Sequence, residues 1–261
     1  GTLVRDTPAA LASLVAVPVA LYAWSWRAWF ADETAVYRHA KVDGTIEDGS
    51  WLLHLPEPLA GWFYYHSSVL EFHASLTSSG GHSHPWDSKP WAWLVAARPI
   101  LYYSSTDISC GDGGSCRRML YLFGTPVIWW LVIPAVLWGL WSLLVRRNRA
   151  FLIPLVGAAA GFLPWLMVFD RQMYFFYATA FIPFVIVLIS LALGQMIGRG
   201  RVLRWRWLTE LFGAAMPLGT FLTVCYAALV VAMFAYFSPI LYGYLIPDSW
   251  YHSMMWLPSW T

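Results

Sequence analysis

Charged side chains are what this chain has least of. Asp, Glu, Lys and Arg make up 11% of its 261 residues, against roughly 25% in soluble domains, which excludes an ordinary soluble fold. Cysteine is scarcer still, with three residues, so neither a disulfide-rich scaffold nor a paired Cys-x-x-Cys zinc site is available. No internal repeat is present, and no pair of apolar segments suggests an inverted-repeat transporter. No ionisable residue lies near the middle of any long apolar segment, where transporters keep the groups that couple ions to substrate. The chain starts at Gly1 with neither Met nor a basic n-region. Its first apolar stretch is too long for a signal-peptide core. A processed or excised part of a longer membrane protein is the expectation.

What the chain has in abundance is apolar surface, at 59% hydrophobic residues. Residues 10–30, 119–145, 151–169, 173–198 and 210–237 are each long enough to cross the ~30 Å hydrocarbon core as a helix. The sequence therefore predicts an all-α integral membrane protein with about five transmembrane helices. Its expected order is a first span (1–30), a long extracytoplasmic loop with short surface helices (31–118), four spans (119–237) and an extracytoplasmic tail (238–261). Arg146, Arg147 and Arg149 fall between the second and third spans, and Arg199, Arg201, Arg204 and Arg206 between the fourth and fifth. Basic residues near span ends mark the cytoplasmic side. The expected protein is a multi-pass plasma-membrane protein, bedded in the lipid bilayer, whose N-terminus is cytoplasmic and C-terminus extracytoplasmic. Its outer segment holds ten acidic residues against six Lys or Arg, with six of the seven His, so the net charge of +2 averages an acidic face with a basic one. The arginines read as topology determinants, and no nucleic-acid partner is expected.

Within the outer segment, residues 59–76 place Leu59, Trp62, Phe63, His66, Leu70 and His73 near helical spacing, which predicts an amphipathic helix on the surface. A second short helix is predicted to open at Pro90, since proline suits a first helical turn. Cys110 and Cys116 close a Gly-rich loop on the oxidising side, and a disulfide between them is expected. Cys225, inside the last span, reads as a buried, inert thiol.

Two readings stand for the polar and aromatic run 82–93, His-Ser-His-Pro-Trp-Asp-Ser-Lys-Pro-Trp-Ala-Trp. It is either an interfacial loop anchored by its indoles, or the wall of an open site in which His84, Trp86, Ser88 and Trp91 shape a pocket. His82 and His84 lack a carboxylate at ligand spacing, so no metal site is expected. Asp170-Arg171, with Gln172 and Tyr174 beyond, is either a charged turn that keeps two helices from slipping into lipid or a phosphate site, because a guanidinium donates two parallel hydrogen bonds to phosphate oxygens. Arg98 carries the same pair of readings, a phosphate ligand or a snorkelling side chain. Asp32-Glu33 is a solvated helix end or, less in keeping with its surroundings, a general base. The segment 255–260 reads by itself as one more interfacial aromatic stretch.

Three segments together resemble a known family. Phe72-His73 with His84-Pro85-Trp86-Asp87-Ser88-Lys89-Pro90-Trp91-Ala92-Trp93 and then Arg98 resembles the His-Pro-aromatic-x-Ser-x-Pro-Trp-x-Trp motif of bacterial protein O-mannosyltransferases. The run Asp170 to Tyr177 is similar to that family's entry into its penultimate span, and Met255-Trp256-Leu257-Pro258-Ser259-Trp260 to its C-terminal signature. The resemblance implies the C-terminal part of a GT-C glycosyltransferase of family 39. Such an enzyme moves mannose, with inversion, from a polyprenyl-phosphate carrier to Ser or Thr of secreted or membrane proteins, acceptors met during translocation included. It implies Arg171 and Arg98 as donor-phosphate ligands, and His84, Trp86, Ser88, Trp91, Gln172 and Tyr174 as walls of the donor or acceptor pocket. The family's catalytic Asp-Glu pair lies in its first outer loop, ahead of this chain. Asp32-Glu33 then imitates the pair by chance, and the fragment needs the N-terminal part of the same enzyme for activity. No cofactor is implied, and dependence on a divalent ion is left open. The competing reading is a non-catalytic scaffold or accessory subunit that binds a partner through its outer loop.

Overall fold

The computed structural model describes residues 2–111 and 113–261, with the side chains at 2, 3 and 208 excepted. Gly1 and Asp112, which enter the reading of the N-terminus and of the cysteine loop, lie outside the described residues. The chain divides into two units, Gly1–Leu76 and Thr77–Thr261.

The first unit opens with an apolar helix, α1 (Val4–Ser25), long enough to cross a membrane. Its middle widens to a π turn at Ala12–Ala16. Pro18 follows directly and has no N–H to give to the preceding turn, which the wider turn accommodates. A short helix, Arg27–Ala31, leads into a loop held by two aspartate turns, in which Asp32 and Asp43 accept from the amides of Thr34 and Thr45 at 2.8 and 2.9 Å. The predicted surface helix is present as α2 (Glu57–Ser75), with Glu57 in its first turn, where a negative charge complements the helix dipole. Trp26 packs on it through rings 5.1 Å from Tyr65 and 4.8 Å from His66.

The second unit contains α3 (Pro90–Trp93), then strands β1 (Ile100–Ser109) and β2 (Ser115–Leu122). Helices α4 (Pro126–Leu144) and α5 (Arg149–Met167) are long and apolar enough to span, and α6 (Ile182–Met196) is apolar but shorter. At 1.5 Å per residue α6 covers about 22 Å. The 3-10 turn Phe175–Ala180 just before it extends that path by about 12 Å. A two-stranded ribbon, β3 (Val202–Leu203) with β4 (Met216–Pro217), precedes α7 (Leu218–Tyr242), the fourth helix of spanning length. Strand β5 (Leu245–Pro247), helix α8 (Asp248–Met254) and the 3-10 turn Pro258–Trp260 complete the chain.

The helical membrane architecture expected from the sequence is present, accompanied by a sheet that apolar periodicity did not reveal. Strands β1, β2 and β5 form an antiparallel sheet in that spatial order. The span expected to begin at Met119 begins at Pro126, because Met119 and Tyr121 alternate inward along β2 while their neighbours do not. A short apolar run cannot by itself distinguish a strand from a helix start. The last span starts at Leu218 rather than near 210, because a separate helix, Arg206–Phe212, stops at Gly213 in a left-handed conformation. It runs on to Tyr242, past the expected end at 237. Cys225 is exposed on α7 rather than buried, since that helix packs few of its residues against the rest of the chain.

Two apolar cores position the loops. One joins α4, α5 and α6 to Trp93, Met173 and Phe175. The other packs the inner face of the sheet, through Met119 and Tyr121, on Phe237, Ile240, Met254 and Trp260.

Candidate functional site

The run 82–93 and the turn after α5 are stitched together by backbone bonds. Thr77 pairs with Arg171 in an antiparallel bridge, and the amide of Ser78 donates to the Asp170 carbonyl at 2.8 Å. Asp170 accepts from Ser79 through both amide and hydroxyl, and those bonds hold its carboxyl below the usual range. Farther along, the Ser88 amide donates to the Met173 carbonyl at 2.8 Å, while Asp87 accepts from the Met173 amide at 2.9 Å. Lys89 closes the seam, donating to the Arg171 carbonyl at 3.1 Å and pairing with Asp87 at 3.3 Å. Apart from the Lys89–Asp87 pair, these bonds link residues more than eighty positions apart; Asp87 and Lys89 stand in the quoted motif without an assigned role, and Ser79 is not singled out from sequence. Only the alternation of polar and aromatic residues at 82–93 hinted at them.

Arg171 is held by its main chain, which leaves its side chain largely uncommitted. Its Nη2 donates to the Tyr177 hydroxyl at 3.4 Å, and its guanidinium lies 5.7 Å over the same ring. Its Nε is buried without a partner among the described residues, an arrangement that costs stability unless a ligand supplies the acceptor. Tyr174 and His84 meet edge to face at 5.3 Å. Burial, and then the charge of Asp87, raise the phenol of Tyr174 above its ordinary value. Gln172 is buried.

Arg98 is more fully occupied. It donates to the Ser259 carbonyl at 2.8 Å and to the Pro85 carbonyl, and lies 4.9 Å over the Trp86 ring. The indole of Trp260, fully buried, donates to the Ala96 carbonyl at 2.9 Å. Trp260 is thus part of the core, which corrects its reading as an interfacial indole, while Trp256 in the same segment stays exposed. Indole N–H groups become compatible with burial once they find an acceptor. Ser88 is buried and receives the Trp93 indole at 2.9 Å, so it braces the loop. Trp91 is exposed and lies 5.7 Å from Phe169, on the flank of the seam rather than in it.

Cys110 and Cys116 are joined by a disulfide at the tip of the β1–β2 hairpin. Asp32 and Glu33 belong to the first unit. Asp32 is held below the usual carboxylate range by the hydroxyl and amide of Thr34, the wrong direction for a general base at neutral pH. Glu33 faces His39 at 3.3 Å and Arg38 at 3.7 Å. Among the described residues, no group of three or more His, Cys, Asp or Glu is placed to hold a metal ion.

The geometry therefore offers a cation with spare donors, an aromatic and imidazole wall, and a rigid seam, all at one end of the helices. Comparison with known proteins bears on what such an end does. Residues 58–260 match the family model described as the C-terminal four TMM region of protein-O-mannosyltransferase. The polyprenol-phosphate-mannose–protein mannosyltransferase of Corynebacterium glutamicum is 60% identical over 260 residues, covering all of this chain and 48% of the relative. Proteins of the same name from Mycobacterium tuberculosis and Mycolicibacterium smegmatis are 39% and 40% identical, again over 48% of their length. The chain thus spans about half the length of the curated relatives it matches. The S. cerevisiae protein O-mannosyltransferase Pmt1-Pmt2 complex bound to the sugar donor shares the fold, with a TM-score of 0.56 at 19% identity over 83% of this chain and 28% of that one.

Proposed function

This chain belongs to the protein O-mannosyltransferase family, and from that premise we propose that it forms the phosphate-holding C-terminal part of an enzyme transferring mannose from polyprenyl-phosphate-mannose to Ser or Thr hydroxyls. The observation that carries the reading is the 60% identity, over the whole chain, to a polyprenol-phosphate-mannose–protein mannosyltransferase. The uncommitted guanidinium of Arg171 supports it from the chemistry.

In the proposed reaction the acceptor hydroxyl attacks the anomeric carbon of mannose and the polyprenyl phosphate leaves with the bonding electrons, inverting the centre. A phosphate is already a good leaving group, so the demand on the protein is a base for the hydroxyl and a fixed cation for the departing charge. Arg171 is the cation. The base comes from the part of the enzyme outside this chain, as the Asp-Glu pair implied by the resemblance. On this reading His84 and Tyr174, which meet edge to face, and Gln172 shape the pocket beside Arg171 for donor or acceptor, while Trp86 lies under Arg98. Arg98, Ser88 and Trp91 support that wall rather than touch the phosphate. The site faces the extracytoplasmic side of the plasma membrane, opposite the arginine-rich connections.

In the full-length enzyme, Arg171→Ala is expected to lower mannosyl transfer to a Ser/Thr peptide by about a hundredfold, the scale seen when one preorganised donor to a developing charge is removed. Membrane insertion should be unchanged. Transfer at the wild-type rate would remove Arg171 from the site. A full-length protein that transfers nothing from polyprenyl-phosphate-mannose, yet retains a partner protein, would favour the scaffold reading.

A further inference from the structure

The connections at the other end of α4, α6 and α7 enclose a cavity of about 300 Å³ that the mannosyl-transfer reading leaves unused. Trp138, Arg146, Gln195, Arg199, Leu218 and Leu222 line it. The two arginines reach it from different connections, Arg146 from just beyond α4 and Arg199 from just beyond α6. Gln195 is fixed between them, its side-chain oxygen accepting from the Trp138 indole at 3.2 Å and from Arg146 at 3.3 Å. With that oxygen occupied, the carboxamide has only N–H groups left to offer a ligand. Arg146 also lies 5.3 Å over the ring of Trp141.

The backbone closes the floor of the cavity. Gly219 approaches α6 so closely that a Cβ there would stand 1.9 Å from the Met196 carbonyl oxygen. Its amide donates to the Arg199 carbonyl at 3.0 Å, which ties the start of α7 to the segment carrying Arg199. Cationic and donor groups thus sit at the rim of a wall that is otherwise apolar, at the ends of three helices.

We propose that this cavity binds the phosphodiester headgroup of an anionic phospholipid, with the acyl chains lying along Leu218, Leu222 and Trp138. Charge complementarity selects that occupant. The two connections carry seven arginines, Arg146, Arg147, Arg149, Arg199, Arg201, Arg204 and Arg206, with no acidic residue before Glu210. A zwitterionic headgroup brings its own cation into this field and is disfavoured, whereas an anionic one brings only charge that guanidinium pairs bidentately. Free phosphate lacks the chains that would cover the apolar wall. Basic residues near span ends also place this end at the cytoplasmic leaflet.

Native mass spectrometry of the detergent-solubilised full-length protein, titrated with phosphatidylglycerol or phosphatidylcholine of the same chains, tests the assignment. The wild type should bind one phosphatidylglycerol at least about tenfold more tightly than phosphatidylcholine, and Arg146→Gln with Arg199→Gln should abolish that preference, at a few-fold per basic residue removed. Arg147→Gln with Arg149→Gln removes the same charge outside the cavity and should leave it intact. Equal binding of the two lipids by the wild type overturns the proposal whether or not any variant folds. So does an equal loss in both double variants, or displacement of phosphatidylglycerol by millimolar inorganic phosphate.

Discussion

Two arginines stand at the same end of the helices with different fractions of their donor capacity in use. Arg98 bridges the carbonyls of Ser259 and Pro85 and covers Trp86, so its charge is spent on joining the loop to the C-terminal segment. Replacing it with Gln should remove its bonds to the part-buried Ser259 carbonyl and the exposed Pro85 carbonyl, at a cost of about 1 kcal/mol. Hydrogen exchange at 256–261 should then accelerate, and any rise in the KM for the donor should follow that loosening. A rise in KM with unchanged exchange would instead make Arg98 a phosphate ligand. His39 sets a second residue-scale test. Its ring joins Glu57 to the Glu33 carbonyl, and these bonds, that to Glu57 first, raise its pKa above the ordinary value. A raised folded value means that its contribution is complete below about pH 6.5 and is lost as pH climbs through the folded pKa. Protection of segment 33–57, corrected for intrinsic exchange, should therefore fall as the pH is raised above about 6.5 in the wild type and stay flat in His39→Gln.

At the scale of elements, the seam depends on how tightly α5 meets the turn that follows it. Gly161 is the contact point, since a Cβ there would lie 2.6 Å from the Ala180 carbonyl oxygen and 3.0 Å from the Phe181 nitrogen. These are backbone atoms and cannot swing aside. Gly161→Ala should cost about 1–3 kcal/mol as overpacking, seen as a lower Tm of the full-length protein in detergent, and should displace the 175–181 segment that carries Tyr177 beneath Arg171. An unchanged Tm would mean that α5 can shift without strain. The long apolar helices, the helix at Glu57–Ser75 and the short one at Pro90 were legible because hydropathy, periodicity and proline placement are local signals. The sheet was not: the β1–β2 hairpin is local, but its apolar run from Met119 reads equally as a helix start, and β5 pairs with β2 across the whole of α4 to α7, where nothing near Leu245 announces a partner so distant in sequence. For the same reason Trp260 looked like one more interfacial indole. The polar run at 82–93 was legible as an anomaly, while its clasp on Met173 was not.

At the scale of the whole second unit, the ends of the helices differ in chemistry. The end that carries the 82–98 loop, the Asp170–Arg171 turn and the sheet holds carboxylates, imidazoles and a disulfide-closed hairpin. The opposite end, at 145–149 and 197–206, holds seven arginines. A cation near a span end resists translocation against the membrane potential and is drawn to anionic lipid, and on that ground we propose that the arginine-rich end lies in the cytoplasm. In the proposed orientation the Arg171 site would lie on the side where secreted polypeptides emerge, and Cys110 and Cys116 would lie where a disulfide persists. Single cysteines introduced at Ser83 and Ala150 of the full-length protein separate the two ends without removing any arginine. An impermeant maleimide should label the Ser83→Cys variant in intact cells and the Ala150→Cys variant only after permeabilisation. The reverse pattern would place Arg171 on the cytoplasmic side and withdraw both the acceptor class and the leaflet assigned to the Arg146–Arg199 cavity, because each depends on which end faces out.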